Sequence, residues 1–116
     1  MKLLKKHVQN QCDDNCPISA ASNVIDGRWT TLILRELMNG KKRYNELLRA
    51  LAGISPRMLA LRLKMLEENN IVSRKVFDTN PPTTEYELTN LGNEFSIVLN
   101  AIAQFGIKLQ NYKNEK

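Results

Sequence analysis

The two cysteines of the chain, Cys12 and Cys16, lie close enough in sequence to form a disulfide. Oxidation of Cys16 could therefore be resolved by Cys12, within the chain or across a dimer. If Cys16 caps a helix that starts at Pro17, the positive helix end favours its reactive thiolate, whereas Asp13 and Asp14 disfavour it. Two interpretations follow for Cys16, a redox-responsive thiol and a buried, inert one.

The remaining chemistry-bearing residues do not form an enzyme site. The single histidine, His7, could join Cys12, Cys16 and a neighbouring aspartate around a metal, but this spacing matches no common zinc site. We find no Gly-rich phosphate loop and no Ser/His/Asp set. We expect no catalysis, no metal and no cofactor.

The segment from Ser55 to Glu68 combines a basic side with an apolar side. Its apolar stripe consists of Leu59, Leu63 and Leu66. At about 100° per residue, Arg57, Ala60 and Lys64 fall opposite this stripe and Arg62 lies on its flank. Such a helix suits the DNA major groove, with Arg57 at a base edge, Ala60 against a thymine methyl and Lys64 at a phosphate. The alternatives are an ordinary solvated face and, for Arg62, an ion pair with a nearby carboxylate.

The charge balance also favours an anionic partner. Seventeen Lys and Arg residues against twelve Asp and Glu give a formal net charge of +5, which favours nucleic acid first and a membrane surface second. No stretch approaches the ~20 apolar residues of a spanning helix, and Met1–Lys6 runs into polar residues instead of a signal sequence. We expect a cytoplasmic protein whose thiols are reduced at rest, so that any disulfide would be a switch.

Helix signals and strand signals follow one another in a recognisable order. Apolar periodicity and end signals predict four helices, Pro17 to Asp26, Trp29 to Asn39, Asn45 to Leu51 and Ser55 to Asn69. A hairpin of Ile71–Phe77 and Thr84–Leu88, joined by a loop at 78–83, follows. Two short helices around a tight turn, then a hairpin, predict a winged helix-turn-helix in an α+β, mostly α fold. We place an N-terminal arm at 1–15 and one domain at 16–112, with loose ends at 1–15 and 111–116.

Residues outside the fourth helix extend the predicted DNA contact. Arg74 and Lys75 lie below the hairpin tip, or wing, and could grip the sugar-phosphate backbone or the minor groove, although a Pro-Pro tip also suits a stiff loop. Arg43 follows Lys41-Lys42 in a basic turn before the third helix. The full set of predicted DNA contacts is Arg43, Ser55, Pro56, Arg57, Ala60, Arg62, Lys64, Arg74, Asn80, Thr83 and Thr84.

The last segment carries an apolar seam with a 4-3-4-3-4 spacing. Its residues are Leu91, Phe95, Val98, Ile102, Phe105 and Leu109. This spacing is typical of helices that pack along their length, and a domain this small has little surface on which to bury the seam. We predict a dimerisation helix; packing within the chain is the alternative, and the two can coexist.

Short motifs along residues 16–107 resemble the HxlR-type winged-helix pattern. They are Cys16-Pro17, Gly27-Arg28-Trp29-Thr30, Leu34-Arg35-Glu36-Leu37, Lys42-Arg43-Tyr44-Asn45-Glu46-Leu47, Ile54-Ser55-Pro56-Arg57-Met58-Leu59, Arg62-Leu63, Glu67-Glu68, Val72-Ser73-Arg74, Pro81-Pro82, Tyr86-Glu87-Leu88-Thr89 and Leu91-Gly92. Each motif is weak alone, but their number and order are specific. Asn69-Asn70 departs from the pattern, since an acidic residue or a glycine is expected there.

The resemblance implies a homodimeric transcriptional regulator that binds partly palindromic double-stranded operator DNA through its two reading helices. Repression is the expected outcome, because an operator that overlaps a promoter excludes polymerase. Some proteins similar to this one sense electrophiles or oxidants through a cysteine at the position of Cys16. The resemblance points to no particular small-molecule effector. The competing interpretation is a winged-helix protein-interaction module without sequence-specific DNA binding.

Overall fold

The computed structural model describes residues 16–115. The elements follow in the order α1 Pro17–Ile25, α2 Arg28–Leu37, β1 Lys42–Arg43, α3 Tyr44–Ala50, α4 Pro56–Glu68, β2 Val72–Phe77, β3 Thr83–Leu88, α5 Asn90–Asn93 and α6 Phe95–Glu115. The predicted winged helix-turn-helix in an α+β, mostly helical fold is confirmed. No helix within these residues has the length and apolar composition that spanning a bilayer requires.

Local end signals define the first two helices. Pro17 occupies the first turn of α1, where its missing N–H costs nothing, and Cys16 precedes it as the N-cap in an extended conformation. Gly27 then adopts a φ of +86°, which L-residues with a side chain rarely reach, and separates α1 from α2. The chain therefore reverses between two helices without a longer loop.

The helix-turn-helix consists of α3, a turn at Gly53 and α4. The Ser55 hydroxyl accepts a hydrogen bond from the Met58 N–H at 3.0 Å and caps α4, and Pro56 occupies the first turn. The Tyr44 hydroxyl donates to the Pro56 carbonyl at 2.9 Å, which joins the start of α3 to the start of α4. The apolar stripe of α4 faces the core, as predicted, because Leu59, Leu63 and Leu66 are buried. Its opposite side is therefore directed outwards.

The sheet has one strand more than predicted. The hairpin pairs β2 with β3 in antiparallel register, Val72 opposite Leu88 and Phe77 opposite Thr83. The segment predicted only as a basic turn also pairs with β3, Lys42 opposite Tyr86, and gives the order β1-β3-β2. A two-residue strand is too short to show the alternation by which strands are recognised in a sequence.

An asparagine makes the turn from α4 into the wing. Asn70 adopts a φ of +61°, the left-handed conformation that glycine and asparagine tolerate best. The Asn69 side-chain amide donates to the Met65 carbonyl at 2.8 Å and satisfies a carbonyl of the last helical turn. Asn69-Asn70 therefore forms the turn for which the family pattern favours an acidic residue or a glycine.

The terminal segment differs from the single predicted seam. Leu91 lies in a separate short helix, α5, which Thr89 caps by accepting the Gly92 N–H at 3.0 Å. Gly92 packs so closely against the Ile71 carbonyl that a Cβ would collide with it. The expected loose end at Asn111 was wrong, because α6 continues to Glu115. Helical periodicity does not reveal this break, since it depends on how α5 packs against Ile71, just before β2.

Candidate nucleic-acid interface

The outward side of α4 forms the centre of the candidate interface. Arg57, Ala60 and Lys64 are all exposed. Within residues 16–115 neither Arg57 nor Lys64 takes part in an ion pair. Leu61 lies on the same helix and is 58% exposed. This side therefore offers two uncompensated cations and apolar atoms together, the combination that contacts with phosphates, base edges and thymine methyls require.

The structure brings the start of α3 close to the wing. A cleft of about 500 Å³ separates them. The side chains that line it come from Arg43, Tyr44, Asn45, Glu46, Arg49, Pro81, Pro82, Thr83 and Thr84. Arg43, Thr83 and Thr84 were predicted as DNA contacts, whereas Asn45 and Arg49 were not. The available sequence signal was a polar side chain at each end of a short helix, Asn45 in the first turn and Arg49 in the last.

Glu46 stabilises this end of the cleft from within α3. Its carboxylate accepts the Arg43 backbone N–H at 2.8 Å and thereby satisfies a donor ahead of the first turn. The carboxylate at the cleft is thus engaged with the main chain. The exposed Arg43 side chain forms no ion pair within the described part of the chain.

The wing is connected to α4 at its base and stiffened at its tip. Arg74 Nε lies 3.4 Å from Glu67 Oε2, so this predicted DNA contact is also tied to the end of α4. At the tip, the Thr79 hydroxyl donates to the Pro81 carbonyl at 2.7 Å and lies 3.2 Å from the Thr83 hydroxyl. Asn80 is exposed between them. Glu67, from the Glu67-Glu68 motif, and Thr79, which no sequence motif singled out, therefore hold the wing in place.

Tyr86 lies where the wing meets the helices. Its side chain is buried, and burial raises the pKa of the phenol above its ordinary value of 10.0. The nearby Arg74 charge opposes this shift, while the Glu67 charge and Tyr44 add to it. The phenol is consequently neutral at physiological pH and is part of the core that supports the wing.

Arg62 does not share the outward direction of Arg57 and Lys64. Its side chain is partly buried, and Nη1 donates to the Asp26 carbonyl at 3.3 Å. The predicted alternative, an ion pair with a carboxylate, is also not what the structure has, because the partner is a main-chain oxygen. The flank position on the helical wheel did not reveal this direction, since it depends on where the α1–α2 turn lies.

Cys16 is completely buried and disulfide-bonded at the start of α1. Cys12, the expected resolving thiol, and His7, the residue of the metal alternative, lie outside the described residues.

The predicted dimerisation residues divide into two groups. Phe95 is partly buried against the core of its own chain. The others are exposed, namely Leu91, Val98, Ile102, Phe105 and Leu109, and Phe105 reaches 66%. Ile97, Ile107 and Tyr112 add exposed apolar surface that the seam did not include. No residue of the 21-residue α6 is buried, so the helix leaves apolar side chains facing solvent in the single chain.

Comparison with known proteins identifies relatives along nearly the whole described region. The family model for the HxlR-like helix-turn-helix matches residues 24–114. The HTH-type transcriptional regulator sll1512 of Synechocystis sp. is 43% identical over 91 residues, covering 78% of this chain and 67% of its own length.

Two solved structures of regulators share the fold, and one of these regulators is named a redox regulator. The redox regulator HypR in its reduced form superimposes with a TM-score of 0.79 at 32% identity, covering 86% of this chain and 99% of that one. The reduced form of the transcriptional regulator YodB from B. subtilis has a TM-score of 0.69 at 37% identity, covering 78% and 89%. The family model, the sequence relatives and the fold all indicate the same family. The chain belongs to the HxlR family of helix-turn-helix transcriptional regulators.

Proposed function

We propose that this protein is a cytoplasmic, homodimeric repressor that binds a specific, partly palindromic DNA operator. The observation that carries the proposal is the exposed side of α4, which presents Arg57, Ala60 and Lys64. Neither of the two cations has an ion-pair partner among residues 16–115. A helix presented in this way fits the major groove, and the N-terminal half of such a helix reads the bases.

The proposed contacts divide into base reading and backbone positioning. Arg57 reads a base edge and Ala60 meets a thymine methyl, next to Ser55 and Pro56 at the helix start. Phosphates and sugars are the partners of the surrounding residues, namely Arg43, Lys64, Arg74, Asn80, Thr83 and Thr84. The cleft between α3 and the wing then lies over the DNA backbone, with Asn45 and Arg49 as further polar contacts.

Two copies of the chain would pair through α6. Its exposed apolar side chains would be buried in an interface with α6 of a second copy, related to the first by two-fold symmetry. Symmetry then places the two α4 helices in successive major grooves, with half-sites about one helical turn, roughly 34 Å, apart or a multiple of that distance. A dimer bound across a promoter would exclude polymerase, which is why repression is the proposed sign of regulation.

Thiol chemistry at Cys16, with Cys12 as its partner, is the proposed control of binding. The support comes from the redox regulator HypR among the structural relatives and from the disulfide-bonded state of Cys16. A hydroperoxide would oxidise the Cys16 thiolate to a sulfenic acid and leave as the alcohol. The Cys12 thiol would then form the disulfide with loss of water, and a dithiol reductant would restore both thiols.

Selection of bound sequences from a random DNA library tests both parts of this proposal. The reduced protein should enrich a partly palindromic motif, and treatment with hydroperoxide should abolish the enrichment. Cys16→Ser should enrich the same motif before and after oxidation. Arg57→Ala should relax one base position in each half-site, whereas Lys64→Ala should weaken binding to all sequences alike.

The possible outcomes separate the competing interpretations. A motif that is enriched equally in both redox states would retain the regulator and discard the switch. Salt-sensitive retention of DNA without any enriched motif would show only that the basic surface attracts a polyanion. No retention in either state would favour the protein-interaction module.

A further inference from the structure

Arg62 connects the proposed reading helix to a turn at the other end of the domain. It belongs to α4, but its guanidinium lies against the junction of α1 and α2, where Nη1 donates to the Asp26 carbonyl at 3.3 Å. The residues are 36 positions apart in sequence, so this is a tertiary contact. It joins α4 to the helix that starts at Cys16.

The junction is built to receive the guanidinium. A Cβ on Gly27 would lie 3.1 Å from Arg62 Nη2 and 3.4 Å from Cζ, closer than a side chain would normally approach. Gly27 also needs its φ of +86° for the turn itself. The same Asp26 carbonyl accepts the hydroxyl of Thr30 at 3.0 Å, and Thr30 is completely buried. The acceptor is therefore held in place from both sides.

One nitrogen of the guanidinium is closed to an outside partner. Arg62 Nε is inaccessible to solvent and has no hydrogen-bond partner within the described residues. A phosphate contact requires N–H groups that point outwards, as Arg57 and Lys64 on the exposed side can provide. The geometry consequently separates Arg62 from the basic residues that flank it in sequence.

We propose that Arg62 is a positioning residue, which fixes the angle of α4 against the α1–α2 turn and does not touch DNA. This inference rests on the proposed DNA binding for its functional consequence. The guanidinium suits this role, because it lies against Gly27 while it donates to the Asp26 carbonyl. Lysine would keep the charge but not this contact.

Salt-dependent DNA binding distinguishes positioning from phosphate contact. With the selected operator, Arg62→Lys and Arg62→Met should each lower affinity about tenfold or more. The slope of log affinity against log salt should stay at the wild-type value, because no phosphate contact is lost. Lys64→Met is the matched control. It removes one phosphate contact and should reduce the magnitude of that slope by about one. Full affinity in Arg62→Lys, or a reduced slope in Arg62→Met like that of Lys64→Met, would overturn the proposal.

Hydrogen exchange of the DNA-free protein tests the same contact without the proposed function. In Arg62→Lys, amides of the 26–34 and 56–66 segments should exchange several-fold faster, while the thermal unfolding midpoint stays close to that of the wild type. Lys64→Met should leave both segments unchanged. Wild-type exchange in Arg62→Lys would overturn the proposal even if no operator is found. A uniform loss of protection with a lowered midpoint would also overturn it, since Arg62 would then be merely structural.

Discussion

Individual residues in this domain have roles that their type alone does not reveal. Arg57, Arg62 and Arg74 are all arginines near the proposed DNA surface, yet of these three only Arg57 is exposed and has no ion-pair partner within residues 16–115. Arg74 pairs with Glu67, and Arg62 donates to the Asp26 carbonyl. The role of an arginine here therefore depends on what lies within reach of its guanidinium. Arg57 is proposed to contact a base, Arg62 is proposed to position α4, and Arg74 connects the wing to α4.

The raised pKa of Tyr86 leads to a prediction about stability at alkaline pH. Burial favours the neutral phenol in the folded state, so the folded pKa lies above the unfolded value near 10.0. The stabilisation is fully present below pH 10 and is lost as the pH rises through the folded pKa. Urea unfolding between pH 8 and 11 should show this loss, and Tyr86→Phe should make it shallower.

Tyr44→Phe provides the control for that experiment. It removes the hydrogen bond to the Pro56 carbonyl, which should lower the free energy of unfolding by about 1 kcal/mol at pH 8. The alkaline loss due to Tyr86 should remain in this variant. An unchanged alkaline slope in Tyr86→Phe would show that another group causes it.

At the scale of elements, α4 combines two functions in its first turn. Ser55 caps the helix through the Met58 N–H, while Arg57, two residues further on, is exposed in the same turn and Ala60 is exposed in the next. The wing is braced against the far end of the same helix through Arg74 and Glu67. The helix is thereby held at its start by a cap, at its flank by Arg62 and at its end by the wing.

Two substitutions at Ser55 should separate helix stability from DNA binding. Ser55→Ala removes the cap and should cost about 1 kcal/mol of unfolding free energy. Ser55→Asp keeps a cap and favours the positive helix end, so its stability should stay near the wild-type value. Its added negative charge faces the proposed phosphates and should reduce operator affinity more than Ser55→Ala does.

Thermal unfolding and operator titration of the two Ser55 variants check this expectation. If both variants retain wild-type affinity, the start of α4 does not face DNA. Should Ser55→Asp instead unfold as easily as Ser55→Ala, the side-chain cap would contribute little to α4.

At the scale of the whole molecule, α6 is the element that a single chain leaves uncovered. Its exposed apolar side chains include Ile97, at 75%, and Phe105. Large exposed apolar patches on small domains mark interaction surfaces. A second copy of the chain is the partner that would both cover α6 and duplicate the α4 surface for a partly palindromic operator.

A single charge on this helix should dissociate the proposed dimer. Phe105→Glu would place a carboxylate in an apolar interface, and its dimer dissociation constant should rise by roughly 100-fold or more, as expected for burying an unpaired charge. Gln110→Glu adds the same charge on another side of α6 and is the control. Sedimentation velocity over a concentration series measures both variants. A Phe105→Glu variant that stays dimeric like Gln110→Glu would place the interface elsewhere.

The amino-acid sequence alone determined the features that depend on near neighbours along the chain. Pro17, Gly27 and the Ser55-Pro56 pair define helix starts and ends because caps and prolines act within one turn. The Leu59, Leu63 and Leu66 stripe determined which side of α4 is buried, and therefore which side presents Arg57. The short motifs together identified the family.

Only the tertiary structure decided the features that join distant parts of the chain. The pairing of Lys42-Arg43 with β3, the separate docking of α5 and the Arg74–Glu67 ion pair all depend on where elements lie in space. Arg62 is the clearest case. Helical spacing places it on the flank of α4, but its partner is a carbonyl 36 residues earlier. Tertiary packing decides whether such a side chain points outwards to solvent or inwards to the α1–α2 junction. Helical periodicity carries no information about that packing.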